Sequence, residues 1–208
     1  MSSGLSTVTL ALLAGGKGRR MGLAKHRLQE SESGSSLIAY QLARLHRHFP
    51  ETFVLCGDHA IGDLPIGVQT LADPPPFTGD GPLAGMLAGM AQSQRPWMAV
   101  LALDYPEVPP ELFEYGLSRA DDKTDAVIFL DSQKRAQWLC ALYRTRVAPQ
   151  IERSLRSGER AVRRFAQTLK TLEVDTTGTF EADTFSNLND PEDLAQSRFC
   201  RPGVEDGG

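Results

Sequence analysis

The 208-residue chain carries 22 Lys and Arg against 26 Asp and Glu, a formal net charge of −4, with 41% apolar and 23% charged residues. That balance suits an ordinary globular domain with a substantial core and argues against broad nucleic-acid binding. Cys56, Cys140 and Cys200 lie far apart without C-x-x-C spacing, which argues against a zinc site or a disulfide framework and points to a reducing compartment, the cytoplasm. No apolar run reaches the roughly 18 residues that a membrane span needs, and the start lacks the cationic region of a secretion signal.

Thr7 to Leu13 reads as a fully buried strand, because its apolar residues run on without alternation. It breaks at Gly15 into a loop through Lys25 that holds four glycines (Gly15, Gly16, Gly18, Gly22) and four cations (Lys17, Arg19, Arg20, Lys25). Residues 17 to 27 hold five Lys or Arg, together with His26, and no acid. Glycines let a backbone wrap closely and aim its N–H groups inward, and clustered cations select an anion. A glycine-rich turn leaving a buried strand suits phosphate. Two well-known loops fail on spacing. A P-loop needs Gly-Lys-Ser/Thr, but Gly22 is followed by Leu23 and Ala24 before the lysine. A dinucleotide-binding turn needs G-x-G-x-x-G, and Gly16, Gly18 and Gly22 are one residue too long.

Further along, Ser31 to Ser36 reads as a turn with a helix cap. Leu37, Ile38, Leu42 and Leu45 follow helical spacing up to Phe49-Pro50. Strands are expected at Phe53–Cys56 and Val68–Ala72, the second ending at Asp73. A Pro- and Gly-rich loop, 74 to 81, leads to Pro82 in the first turn of another helix. Gly85 and Gly89 share one face of that helix and let it lie close to a sheet. Trp97–Leu103 is an apolar strand ending at Asp104, and Pro109-Pro110 opens a helix to Leu117. Ala126–Leu130 and Leu139–Tyr143 read as strands across a polar turn, Asp131 to Arg135. Ile151–Leu155 and Val162–Leu169 read as helices, Thr171–Val174 as a last strand, and Asp190 or Pro191 as a helix start.

This alternation predicts an α/β fold, Rossmann-like, with a mainly parallel sheet covered by helices on both faces. Residues 1–200 form a single domain on this reading, with 201–208 a flexible tail. Ligands of such sheets gather beyond the carboxyl ends of the strands, where Gly15, Asp73 and Asp104 all fall.

Asp104 is either a strand-end cap or a magnesium ligand, since magnesium takes one or two protein carboxylates and completes its shell with phosphate and water. Asp73 is either a turn-starting residue or an acceptor for the donor edge of guanine. Gly79-Asp-Gly-Pro-Leu-Ala-Gly85 offers N–H groups at a helix start. Asn187 and Asn189 face one side of an extended segment. Arg160, Arg163 and Arg164 form either a solvated face or a receiver for an anionic second substrate. His46, His48 and His59 lack ligand spacing.

Taken together, the loop through Lys25, the Gly-Pro-Leu-Ala-Gly island, Asp104 with Pro106, Gly158-Glu159-Arg160 and Asn187-Leu188-Asn189 resemble the molybdenum cofactor guanylyltransferase family. The resemblance implies a nucleotidyltransferase of glycosyltransferase-A-like architecture. Such an enzyme transfers GMP from GTP to the phosphate of molybdopterin and releases pyrophosphate. By position it implies that Leu12, Ala14, Gly15, Gly16, Lys25, Asp73 and Asp104 touch the nucleotide and that Asp104 holds Mg2+. Gly81, Asn187 and Asn189 fall on the pterin side, with cofactor-biosynthesis or acceptor proteins as partners. The sequence departs from the family pattern at Ala24, where Asp is common, at Leu103 and Tyr105 around the metal aspartate, and at Leu139-Cys140.

The mechanism expected is in-line attack by an already ionised acceptor phosphate, with no covalent intermediate. Backbone N–H groups of residues 15 to 18, Arg19 and Lys25 would hold the leaving pyrophosphate. Rival readings are a CTP-dependent molybdopterin cytidylyltransferase, a sugar-phosphate nucleotidyltransferase and a non-catalytic nucleotide-binding adaptor.

Overall fold

The computed structural model describes residues 4–15, 28–57, 61–62, 64–189 and 191–201. The first strand, β1 (Val8–Leu13), is buried at every residue as an unalternating apolar run requires. β2 (Gln29–Glu30) precedes α1 (Leu37–Leu45), which Ser36 caps by accepting from the Ala39 N–H at 3.3 Å. The helix tightens into a single 3-10 turn, His46–His48, before Pro50. β3 (Glu51–Gly57) and β4 (Val68–Ala72) follow, then α2 (Pro82–Gln92) with Pro82 in its first turn. β5 (Trp97–Ala102) is again buried throughout. After α3 (Pro110–Leu117) come β6 (Ala126–Leu130) and β7 (Ala136–Arg144). The chain continues through α4 (Ala148–Arg156), α5 (Val162–Ala166) and β8 (Thr171–Asp175), then α6 (Pro191–Ala195) and β9 (Phe199–Cys200).

Seven strands form one sheet in the order β4-β3-β1-β5-β7-β6-β8. Only β7 runs against the rest, because the short turn from Leu130 to Ala136 makes a hairpin and leaves no length for a crossover helix. The other six strands therefore point one way, and their carboxyl ends share a single rim. α2 lies close on the sheet: a Cβ at Gly85 would sit 3.3 Å from Leu55 Cβ, and one at Gly89 would sit 3.0 Å from Met98 Sδ. α3 lies closer still, with a Cβ at Gly116 only 2.6 Å from Phe129 Cζ.

The expected elements are all present, with most ends shifted by one to four residues. β2 and β9 were not expected. They pair antiparallel, Gln29 with Cys200 and Glu30 with Phe199, so the chain is structured up to the expected tail. Residues 202–208 lie outside the described residues. Cys56, Cys140 and Cys200 form no disulfide, and Cys56 Sγ donates to Leu71 O at 3.4 Å. Among the described residues, no helix is long and apolar enough to cross a membrane.

Candidate active site

Beyond β1, the Ala14 and Gly15 N–H groups both donate to Leu55 O of β3, at 2.9 and 3.1 Å. The chain thus stays against β3 and leaves Gly15 exposed. The Gly15 N–H is bonded to β3, and Leu12 is wholly buried within β1. Gly16, Arg19 and Lys25 lie outside the described residues.

Asp73 is 8% exposed and accepts from the Gly79 N–H at 2.9 Å. Its carboxylate pins the proline-rich loop and packs 3.7 Å from where a Gly85 Cβ would be. Gly79 and Gly81 take φ of 79° and 81°, a region that favours glycine. Asp80 between them pairs with Arg160 at 2.7 Å, and the same guanidinium donates to the Leu155 and Glu159 carbonyls. Arg160 therefore latches two turns together, and Arg164 faces Glu159 at 3.5 Å. Of the expected anion-receiving trio, Arg163 alone is left on an exposed face with no ion pair among the described residues.

Asp104, half-buried, tops the turn after β5. The four successive carbonyls of Asp104 to Glu107 are held. Leu188 N–H donates to Asp104 O at 2.9 Å, and Gln41 Nε2 to Tyr105 O at 2.8 Å. Arg44 donates to the carbonyls of Pro106 and Glu107. Gln41 and Arg44 are one helical turn apart on α1 and grip the loop as a pair. Sequence reading missed both, since a wholly buried Gln and a helix-borne Arg look like part of an ordinary amphipathic pattern.

Beyond Asp104 the rim opens into a cavity of about 1070 Å³, whose wall includes Asp131, Arg135, Gln137, Asn187, Asn189 and Arg198. Asn187 and Asn189 do face one side, with Leu188 buried between them, and Asn189 Nδ2 donates to Asn187 Oδ1 at 2.7 Å. Gly81 does not line this cavity; it lies at the start of α2, next to the loop pinned by Asp73. β5 pairs with β7 as far as Leu101 opposite Cys140.

Asp131, at the carboxyl end of β6, is 3% exposed. Burial alone would raise its carboxyl. The Arg135 N–H and guanidinium and the Gln133 N–H outweigh that and hold it below the usual carboxylate range. Burial pushes the Tyr105 phenol up to about 12, with Asp104 adding to the rise. Burial and then Asp104 likewise push up the Cys140 thiol, so the Asp104 charge is felt on both sides of its strand.

Asp104 offers hard oxygen to a cation. No group of three or more His, Cys, Asp or Glu is arranged as a metal cage among the described residues. The donor set thus fits magnesium, which binds through one or two carboxylates with substrate phosphate and water, and does not fit a structural zinc.

Residues 10–173 match the model of the MobA-like NTP transferase domain. The chain belongs to this family. Its relatives include the molybdenum cofactor guanylyltransferase of Rhodobacter capsulatus, 33% identical over 189 residues that cover 89% of this chain and 92% of that protein. The molybdenum cofactor guanylyltransferase of Pseudomonas aeruginosa strain LESB58 is 32% identical over 198 residues, covering 94% and 97%. Among solved structures, molybdopterin-guanine dinucleotide biosynthesis protein A from Archaeoglobus fulgidus superposes with a TM-score of 0.74 at 25% identity, covering 90% of this chain and 95% of that one. The 2-C-methyl-D-erythritol 4-phosphate cytidylyltransferase of Thermus thermophilus shares the fold, with a TM-score of 0.66 at 16% identity, covering 90% and 96%. The segment matched by the MobA-like model stops at Glu173, before Asn187 and Asn189, so the cavity wall they build lies beyond it.

Proposed function

We propose that this chain transfers GMP from GTP to the phosphate of molybdopterin, forming the guanine dinucleotide and releasing pyrophosphate. One observation carries the proposal: the Leu188–Asp104 bond joins the candidate metal aspartate to the amide pair of the cavity. Asp104 also shares a rim with Gly15 and Asp73, so one carboxylate borders both a nucleotide half and an acceptor half. β4 and β5 are three strand spacings apart, roughly 14 Å, which gives the nucleotide an extended seat from Asp73 to Asp104.

In this reading the base lies against Asp73 and the loop it pins. The Asp73 carboxylate can only accept, which suits the two donors on guanine's edge. Ala14 and Gly15 border the nucleotide, and Gly16, Arg19 and Lys25 hold the β and γ phosphates. Asp104 holds Mg2+, which supplies charge neutralisation at the phosphates. The acceptor enters the cavity, with Asn187 and Asn189 orienting its pterin. Its ionised phosphate attacks the α-phosphorus, so no residue need remove a proton; placement and charge compensation do the work.

Pyrophosphate release measured with molybdopterin and either GTP or CTP tests the proposal. Release is expected with GTP. Release confined to CTP would replace it by the cytidylyltransferase reading, and GTP binding without release would favour an adaptor.

A further inference from the structure

Joining an acceptor phosphate to a triphosphate brings two anions together, so the acceptor side of the site calls for a cation of its own. The charged side chains along the cavity wall are four acids, Glu107, Asp131, Asp183 and Asp193, and two arginines, Arg135 and Arg198. Arg198 is already paired. Its Nε lies 3.4 Å from Glu107 Oε1, and its guanidinium carbon is 5.9 Å from the centre of the Tyr40 ring.

Arg135 is held differently. Its Nε donates at 2.8 Å to Asp131, which is 3% exposed and also takes Gln137 Nε2 at 3.0 Å. The Gln133 and Arg135 N–H groups converge on the same carboxylate, both at 2.9 Å. Gln137 Nε2 reaches the Arg135 carbonyl as well, at 3.1 Å. The turn thus anchors Arg135 at its backbone and at the inner nitrogen of its guanidinium. Its two Nη groups have no bond among the described residues, and the side chain is 68% exposed. An arginine fixed at Nε presents its Nη pair as a planar fork, a shape that matches two oxygens of one phosphate.

Two further features favour that ligand. Tyr105 Oη donates to Gln137 Oε1 at 2.9 Å, so Gln137 joins the residue after Asp104 to the carboxylate that anchors Arg135. Glu107, Asp183 and Asp193 disfavour an anion along the rest of the wall.

We propose that Arg135 binds the phosphate of the acceptor through its Nη pair, with Asp131 aiming the fork, and thereby selects phosphorylated acceptors. The role rests on the assignment of this cavity to the acceptor made above.

The test compares full-length wild type with Arg135→Gln in turnover with GTP, Mg2+ and molybdopterin. KM for molybdopterin is expected to rise about tenfold to a hundredfold, as for a lost charge-assisted hydrogen bond, while KM for GTP and kcat stay within about twofold. Molybdopterin stripped of its phosphate is then used as a competitive inhibitor. Its Ki is expected to be the same in both proteins within about twofold, because it lacks the group that Arg135 holds. An unchanged molybdopterin KM would overturn the proposal. A Ki that weakens as far as KM, or an equal loss toward GTP, would mark a distorted turn and also overturn it. A third measurement needs no turnover: the Arg135 Nε–H signal of the wild type is followed by 15N–1H NMR as inorganic phosphate is added. The signal is expected to shift and saturate; one that stays still would overturn phosphate binding at the fork. A wild type that makes no product would overturn the function proposed above, and the acceptor role with it, while the phosphate titration still decides whether the fork binds the anion.

Discussion

The Leu188 N–H donates to the Asp104 carbonyl at 2.9 Å, which ties the turn that ends β5 to the segment bearing Asn187 and Asn189. With Gln41 and Arg44 holding the next three carbonyls from α1, the Asp104 carboxylate is presented by a turn fixed on two sides. Such preorganisation matters where a charge must already be in place when the reaction begins.

Asp104→Asn keeps that shape and removes the charge. Pyrophosphate release is expected to fall by about a hundredfold or more, roughly 3 kcal/mol of barrier, with the thermal midpoint nearly unchanged. Undiminished turnover would sink the magnesium assignment.

Asp131→Ala should be costly to the fold. It strands four donors that now converge on one carboxylate, and a loss of about 3 kcal/mol is expected in urea unfolding. The same group predicts an acid limb. Its folded pKa lies below the unfolded value, so its contribution is complete above the unfolded pKa of about 4 and disappears as pH falls through the folded one. The wild type should lose stability there more steeply than Asp131→Ala.

Tyr105 predicts an alkaline limb of the opposite sign. Its folded pKa, about 12, is raised above the usual 10. The contribution is complete below pH 10 and is lost as pH rises toward 12, amounting to about 3 kcal/mol. Stability profiles over that range should be flatter for Tyr105→Phe; parallel profiles would contradict the assignment.

Gly116→Ala tests the packing of α3. Alanine favours a helix by about 1 kcal/mol, but its Cβ would meet Phe129 at 2.6 Å, an overpacking that typically costs about 1–3 kcal/mol. The clash should win, lowering the unfolding midpoint; a stabilised variant would show that α3 has room to lift.

The strands and helices were legible because buried runs such as Val8–Leu13 and capped repeats such as Leu37–Leu45 state their period locally. The rim residues Asp73 and Asp104 were legible for a related reason: each is a charge that abruptly ends a strand. Asp131 ends β6 in the same way, yet it read as part of an ordinary turn, because nothing local reveals that four donors converge on it. Gln41, Arg44 and Gln137 were hidden more deeply, since their partners come from distant elements. β2 and β9 escaped notice because two residues are too few for any periodicity. The Gly15 N–H bond to β3 could not be foreseen either, for it depends on how closely β1 and β3 run at their ends.

The most direct test of the central claim follows the α-phosphorus. GTP labelled at that atom is incubated with the full-length protein, Mg2+ and molybdopterin, and the products are separated. The label is expected to pass into a molybdopterin guanine dinucleotide, with one pyrophosphate released for each product formed. Label that stays in GTP, or that appears only as free GMP, would contradict it.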